Sequence, residues 1–349
     1  MKTYNSIIIG SGLGGLTAGA LLALWGKKVL VLEQHYIAGG CATAFKRKDF
    51  LMEVGLHEID GLHEQDFKRP IMELLGLFNG VEFIKIPELY HIRKGGFSYV
   101  LPEGKQAKEQ LIRDFPKEEK SINDFFVTIE KLYKEMHQMP RSKWFRRLIH
   151  PLMPFLYPTI ARTCRLTAGE WLDKHFKDER LKTILTANMC YYTDDPFNLS
   201  LMYFLVAQGS YLNGGGHFVK GGSQALSHYL VHLIEQHGGQ VLTGKYAKEI
   251  LIENNRAIGV AYQDTFNRTI PIVKVYADTV IANAAQPNVV QMLPESQCRV
   301  LQKRIGKLRP ACSLLSVYLG FNIDLRELGV THYSNIILNK ALKSLKDMK

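Results

Sequence analysis

One stretch near the N-terminus constrains this chain more than any other. Between Thr3 and Gly26 there is no charged residue, and the run is broken by Gly10-Ser11-Gly12-Leu13-Gly14-Gly15. Residues 4–9 are short and β-branched, as a buried parallel strand requires. Residues 16–25 are rich in Ala and Leu and read as a helix, with Gly26 in the position that stops one. Residues 28–33, KVLVLE, read as a second strand. An uncharged segment behind Lys2 invites a signal-peptide reading, but strand, turn, helix and strand in succession predict a βαβ unit instead.

The glycines fall at Gly10, Gly12 and Gly15, with Gly19 one turn on and Glu33 closing the second strand. Gly10 permits the tight turn, Gly12 lets backbone approach a pyrophosphate, and Gly15 and Gly19 bring helix and strand together. Leu13 and Gly14 complete the loop, whose N–H groups and helix dipole suit phosphate. Glu33 is placed to accept hydrogen bonds from ribose hydroxyls. GxGxxG alone is a weak signal; with both strands, the helix and the acid in place it predicts dinucleotide binding.

The next residues are Gln34-His35-Tyr36-Ile37-Ala38-Gly39-Gly40-Cys41-Ala42-Thr43, and Glu53-Val54-Gly55-Leu56-His57 follows. These segments resemble the retinol saturase, carotenoid isomerase and bacterial phytoene desaturase branch of the FAD-dependent amine-oxidase-like oxidoreductases. Gly55-Leu56-His57 with Gln34-His35 is most similar to retinol saturase, and Cys41 stands where many relatives carry Arg. The resemblance continues at residues 216–226, a Gly-Gly-Ser segment opening a helix, at Ala247, and at residues 279–284 including Asn283.

What the resemblance implies is an α/β fold: a Rossmann-type FAD-binding domain, formed by 1–63 and 217–290, with an inserted α+β substrate domain, 64–216 and 291–349. It implies FAD held by Gly10, Gly12, Leu13, Gly14, Gly15, Glu33, Gln34, Gly39, Gly40, Cys41, Ala42, Thr43, Ala247 and Asn283. NAD(P)H is the external electron donor such chemistry draws on. The implied reaction is at a C=C bond of a lipophilic isoprenoid, with retinol-like reduction ahead of desaturation or isomerisation. Family members are longer, and nothing after Phe321 resembles their closing segment, so the chain is expected to stop inside the substrate domain. Two other readings stay open: an amine-oxidase-like dehydrogenase, or a shortened, flavin-free relative that binds a lipid or prenyl group.

Secondary structure elsewhere follows from pattern. Residues 50–54 read as a strand, and 81–86, 90–93 and 97–101 as a small antiparallel sheet. Residues 117–138 read as an amphipathic helix, Thr167-Ala168-Gly169-Glu170 as a capping box, and 199–207 as an apolar helix. Residues 240–243 read as a strand, and 247–253 with 256–263 as a hairpin across Asn254-Asn255. The resemblance implies that residues 312–321 form a central strand of the substrate domain. Phe125, Phe126, Tyr191, Tyr192, Tyr203 and Phe204 are candidates for lining a polyene tunnel, with core packing the plainer alternative for each. His57 is the candidate proton donor, its alternative being a hydrogen bond to backbone or flavin, and His217 is a weaker one. Asp194-Asp195 reads as a turn. Cys41 reads as a small packed residue, with thiolate activation as the alternative.

Charge distribution bears on partners. The formal charge is +11. Two acid-free stretches hold eleven basic residues: Arg141, Lys143, Arg146, Arg147, Arg162 and Arg165, then Arg299, Lys303, Arg304, Lys307 and Arg309. The first set brackets the uncharged run 148–161, LIHPLMPFLYPTIA, preceded by Trp144 and Phe145. A basic rim on an apolar centre, broken by three prolines, suits a segment lying in a membrane interface but not one spanning it. The alternative is a buried loop flanked by solvated arginines. The second set reads as a solvated helix face. No recognition motif accompanies the charge, which disfavours nucleic acid. Five scattered cysteines with no metal spacing point to a reducing compartment and no metal site. The expected setting is cytoplasmic and peripherally membrane-associated.

Overall fold

The βαβ unit is present in the computed structural model, which describes residues 4–308 and 313–348. It consists of β1 (Tyr4–Ile9), α1 (Leu13–Leu24) and β2 (Val29–Leu32). A hairpin follows, β3 (Ala44–Arg47) and β4 (Phe50–Glu53), then α2 (Arg69–Leu74), α3 (Leu77–Gly80) and β5 (Phe83–Lys85). A second hairpin, β6 (Tyr90–Lys94) and β7 (Phe97–Leu101), leads into helices. These are α4 (Gly104–Asp114), α5 (Glu119–Gln138), α6 (Lys143–Ile149), α7 (Met153–Leu156), α8 (Pro158–Thr163), α9 (Ala168–His175), α10 (Glu179–Thr186) and α11 (Leu201–Gly214). The chain then returns through β8 (His217–Val219), α12 (Ser223–Gln236), β9 (Gln240–Leu242), β10 (Lys245–Glu253), β11 (Arg256–Asp264) and β12 (Val273–Ala282). It closes with α13 (Gln286–Met292), α14 (Glu295–Ile305) and β13 (Asn335–Leu338).

The main sheet runs β10-β11-β12-β1-β2-β9. β1 lies parallel to both β12 and β2, while β10, β11 and β12 form an antiparallel meander. Helices cover one face: Ile8 and Val31 pack with Leu16 of α1 and Leu226, Leu230 and Ile234 of α12. Ile7, Ile9, Leu30 and Leu32 fill the other face with Ala247, Val260 and Met292. Burial on both faces explains why β1 shows no alternation. The hairpin turns at Asn254 and Asn255, both with positive φ, a conformation asparagine tolerates better than most residues.

The helical region has its own core around Phe125, Phe176 and Phe204, all fully buried. α5 contributes Ile122, Phe125, Phe126, Ile129, Leu132 and Tyr133, the stripe that i, i+3, i+4 spacing predicts. The capping box forms as expected: Thr167 Oγ1 accepts from Glu170 N, and Glu170 reaches back to Thr167 N. α2 and α3 pack under the dinucleotide-type sheet, with Met72, Leu75 and Leu77 in its core.

Two strand expectations need correction. Residues 81–86 do not join the hairpin β6–β7. β5 pairs antiparallel with β8 instead, and the third strand beside β6 is β13, in parallel. The segment expected as a central strand at 312–321 is not one. Cys312 lies outside the described residues, and 313–321 pair with no strand among those described. β13 occupies the β6 edge, and the segment has no regular secondary structure, with Leu315 91% exposed.

The basic-rimmed segment is no buried loop. α6, α7 and the turn between them present Trp144 (72% exposed), Leu148, Leu152 and Phe155 (83% exposed) outward. Ile149, Tyr157 and Ile160 point inward and tie the segment to the helical core. The Glu135 carboxylate of α5 accepts from Thr159 N at 3.0 Å and Ile160 N at 2.9 Å, fixing the start of α8. In the second basic stretch, Arg299, Lys303, Arg304 and Lys307 are exposed, and Arg309 lies outside the described residues. Among the described residues, no helix is long and apolar enough to cross a membrane.

Candidate functional site

A cleft of about 460 Å³ opens at the C-terminal ends of β1 and β2. Of the residues expected there, Gly10, Gly12, Glu33, Gln34, Gly40, Cys41, Ala247 and Asn283 line it. The others stand just behind and shape it. Gly15 has no room for a side chain, since a Cβ would sit 2.1 Å from Gly10 O, and one on Gly14 would meet Asn283 Oδ1. Gly39 bridges to Gly12, Ala42 N donates to Gly39 O, and Thr43 Oγ1 donates to Gly40 O. Leu13 begins α1.

Gly12 differs from its neighbours. Its φ of −60° is open to any residue, and a Cβ would meet only Asn283 Nδ2, at 3.4 Å. The fold therefore does not demand glycine there, but a cradle that a Cβ would fill does. Gly12 also caps α1 with no side-chain hydrogen bond, and the first turn has no acid, so its N–H groups and dipole remain available to an anion. Glu33 is buried and held ready: Ser11 N and Ser11 Oγ donate to Oε2 at 2.8 and 2.7 Å, and His35 N donates to Oε1 at 2.8 Å. These features fit a dinucleotide, phosphates over α1 and ribose at Glu33.

Lys245, Tyr246, Asn288, Gln291 and Met292 also line the cleft and were not expected. They come from β10 and α13, where no local motif marks them.

A second cavity, about 370 Å³ with mainly apolar walls, lies between α5, α11 and the 187–192 segment. Tyr191, Tyr192 and Tyr203 line it as expected for a tunnel. Phe125, Phe126 and Phe204 do not, and are core. One wall is polar. Lys68 Nζ reaches Asp60 Oδ1 at 2.7 Å and Ser210 Oγ at 3.3 Å, and Ser210 Oγ donates to the buried Asp66 at 2.6 Å. His63, 3.5 Å from Asp66, has its pKa lowered by burial.

One run of chain joins the two cavities. Val54 N donates to Thr43 O and Leu56 N to Cys41 O, so the run starts against the cleft wall. Ile59 exchanges both backbone hydrogen bonds with His217, which fixes its far end. His57 sits between. Its Nδ1 is 3.2 Å from Gly55 O and its Nε2 is 3.0 Å from Tyr191 Oη, a pocket residue. Cys41 lies beside Gly55 but is exposed at the cleft, so it is not the small packed residue expected. His217 lines neither cavity, and its buried Nδ1 has no partner among the described residues. Asp195 accepts from Phe197 N and Asn198 Nδ2, as a turn residue does.

Residues 13–331 match the family of flavin containing amine oxidoreductases. The chain is 30% identical to the inactive all-trans-retinol 13,14-reductase of Danio rerio, covering 93% of this chain and 55% of that protein. It is 29% identical to the all-trans-retinol 13,14-reductase of Danio rerio, covering 94% and 56%. It is 25% identical to the chloroplastic prolycopene isomerase of Daucus carota, covering 93% and 53%. The chain thus spans about half the length of the curated relatives it matches. An oxidoreductase from Methanosarcina mazei shares the fold, with TM-score 0.60 and 20% identity over 88% of this chain and 66% of that one. Putrescine oxidase shares it at TM-score 0.55 and 14% identity over 86% and 63%. The glycine cradle, the buried acid and these likenesses agree: the chain belongs to the flavin containing amine oxidoreductase family, in the branch of the retinol 13,14-reductases and prolycopene isomerases.

Proposed function

We propose that this chain holds FAD in the 460 Å³ cleft and acts on a C=C bond of a lipophilic isoprenoid in the tyrosine-lined pocket. Reduction of a retinol-like substrate stands ahead of desaturation or isomerisation, following the relatives' names. The carrying observation is Gly12, a glycine that the backbone does not require at the mouth of an uncapped helix. Glu33 would bind the ribose hydroxyls and the first turn of α1 the pyrophosphate. Bound flavin supplies two-electron redox chemistry. The protein's part is to orient the alkene, exclude water and manage protons. His57, bonded to Tyr191 at the pocket wall, is the candidate for the last that the sequence singles out. NAD(P)H is the proposed external donor. The proposed division is a flavin domain, 1–63 and 217–290, and a substrate domain, 64–216 and 291–349.

A visible spectrum of the purified chain tests the reading. Flavin bands at roughly 375 and 450 nm, present on purification or after reconstitution, are expected. A protein that stays colourless sinks the redox function and favours a flavin-free lipid binder.

The exposed apolar helices α6 and α7 are proposed to lie in an anionic membrane surface, peripherally and on the cytoplasmic side. Trp144, Leu148 and Phe155 would enter the interface, with Arg146, Arg147 and Arg162 at the headgroups.

A further inference from the structure

Glu58 follows His57 and bonds a different tyrosine. Its backbone neighbour Ile59 is pinned to His217 on both sides, so the side chain has little freedom. Oε1 accepts from Tyr211 Oη at 2.7 Å. Oε2 is buried with no partner among the described residues, 2.9 Å from where a Gly216 Cβ would stand. Tyr211 comes from α11, 153 residues away, and lines the tyrosine pocket.

An ionised carboxylate with one oxygen stranded in this way is costly. Protonation removes the charge and so lowers that cost. It also reverses the 2.7 Å contact: the acid donates to Tyr211 Oη, and the phenolic hydrogen turns into the pocket. The surrounding charges permit this. On its own run Glu58 faces His57 and Asp60, and Lys68 pairs with Asp60. Tyr191, Tyr211 and Tyr333 face it from three other segments, all with pKa values raised. Lys85 and Glu103, paired with each other, stand beside His217. Burial pushes the Glu58 carboxyl up, with Asp60 adding to it and Tyr211 and His57 opposing.

We propose that Glu58 and Tyr211 form a proton-delivery pair for the ligand of the tyrosine pocket, with Tyr211 as the group that touches it and Glu58 acting through Tyr211. The ligand is the alkene of the proposed function, and the inference rests on that reading for its ligand but not for the state of Glu58. The step moves protons only. The Tyr211 O–H bond breaks as its proton joins a carbon made basic by two-electron reduction, the reductant class being a reduced flavin. The Glu58 O–H bond breaks as its proton replaces the one Tyr211 gave up. The resulting carboxylate regains a proton from water.

Infrared spectroscopy of the full chain reads the pair without flavin or substrate. A protonated-carboxyl C=O band is expected to persist at neutral pH, where exposed carboxylates are ionised. It should vanish in Glu58→Gln and shift in Tyr211→Phe. Identical neutral-pH spectra for wild type and Glu58→Gln would overturn the proposal. A second readout guards against a misfolded variant: wild-type stability against pH. A raised carboxyl pKa gives stability that is full below the ordinary glutamate value and falls as pH rises toward the folded value. Glu58→Gln should flatten that slope, and an unchanged slope counts against the pair. The band in a preparation that takes up no flavin would support the pair while removing the redox function. In flavin-loaded protein, Tyr211→Phe should slow turnover about 100-fold or more with flavin absorbance kept, and undiminished turnover overturns the delivery role.

Discussion

The two cavities meet along one short run of chain, yet they are made differently. The β1–α1–β2 side of the cleft is made largely of backbone: glycines, helix N–H groups and one acid already clamped by Ser11 and His35. The pocket is made of side chains, five tyrosines and an ionic wall, delivered by segments far apart in sequence. A backbone site tolerates little change in atoms but asks for little from the rest of the chain. A side-chain site depends on the whole helical core to bring its parts together.

Substitutions should separate the two. The largest effect is expected at Gly15→Val, whose Cβ would strike the Gly10 carbonyl. A loss of about 3 kcal/mol or more in urea unfolding follows from forced backbone movement. If stability were unchanged, the tight helix–strand contact would not be essential. Replacing Arg146, Arg147 and Arg162 by Gln removes about 1 kcal/mol of attraction each, so binding to anionic liposomes should fall roughly 100-fold at low salt. No change would remove the membrane proposal.

Asp66→Ala strands Ser210 and the Lys68 backbone N–H, both of which donate to it. A loss of about 2 kcal/mol is expected, with flavin absorbance retained, which separates the pocket wall from the cleft. Gly12→Val inverts that pattern: stability within about 1 kcal/mol of wild type, but flavin absorbance lost. If flavin stayed bound, Gly12 would not be the contact the proposed function requires. The smallest effect is expected for Thr167→Ala, about 1 kcal/mol from the lost capping box, with neither cavity altered.

The same contrast decides what could be read from residues alone. The cleft was legible because its chemistry needs glycines and an acid at fixed spacing within one βαβ unit. Gly10, Gly12 and Glu33 lie where spacing puts them. Lys245, Asn288 and Gln291 were not legible, because they reach the cleft from β10 and α13 with no local signature. In the pocket, aromatic content marked Tyr191, Tyr192 and Tyr203 but could not separate them from Phe125 and Phe204, which face the core from α5 and α11. The pairing of Glu58 with Tyr211 has no trace in local sequence at all. For 313–321, the family resemblance implied a strand, but a strand also needs a free edge, and β13 holds the one at β6. The capping box and the Asn254-Asn255 turn were legible because a helix start and a two-residue turn are set by neighbours.

The sheet order also sets a timetable. β1 is made first but sits in the middle, and Ile9 meets Ala282 of β12 in register only 273 residues later. At synthesis rates of about 5–20 residues per second, that partner arrives roughly 15–55 s after β1. Until then Ile7, Ile8 and Ile9, all buried in the finished sheet, lack one flank. The nascent chain must therefore shelter an adhesive strand while the 273 residues up to Ala282 are made. Slowing synthesis between β2 and β12 would lengthen the period in which it can aggregate.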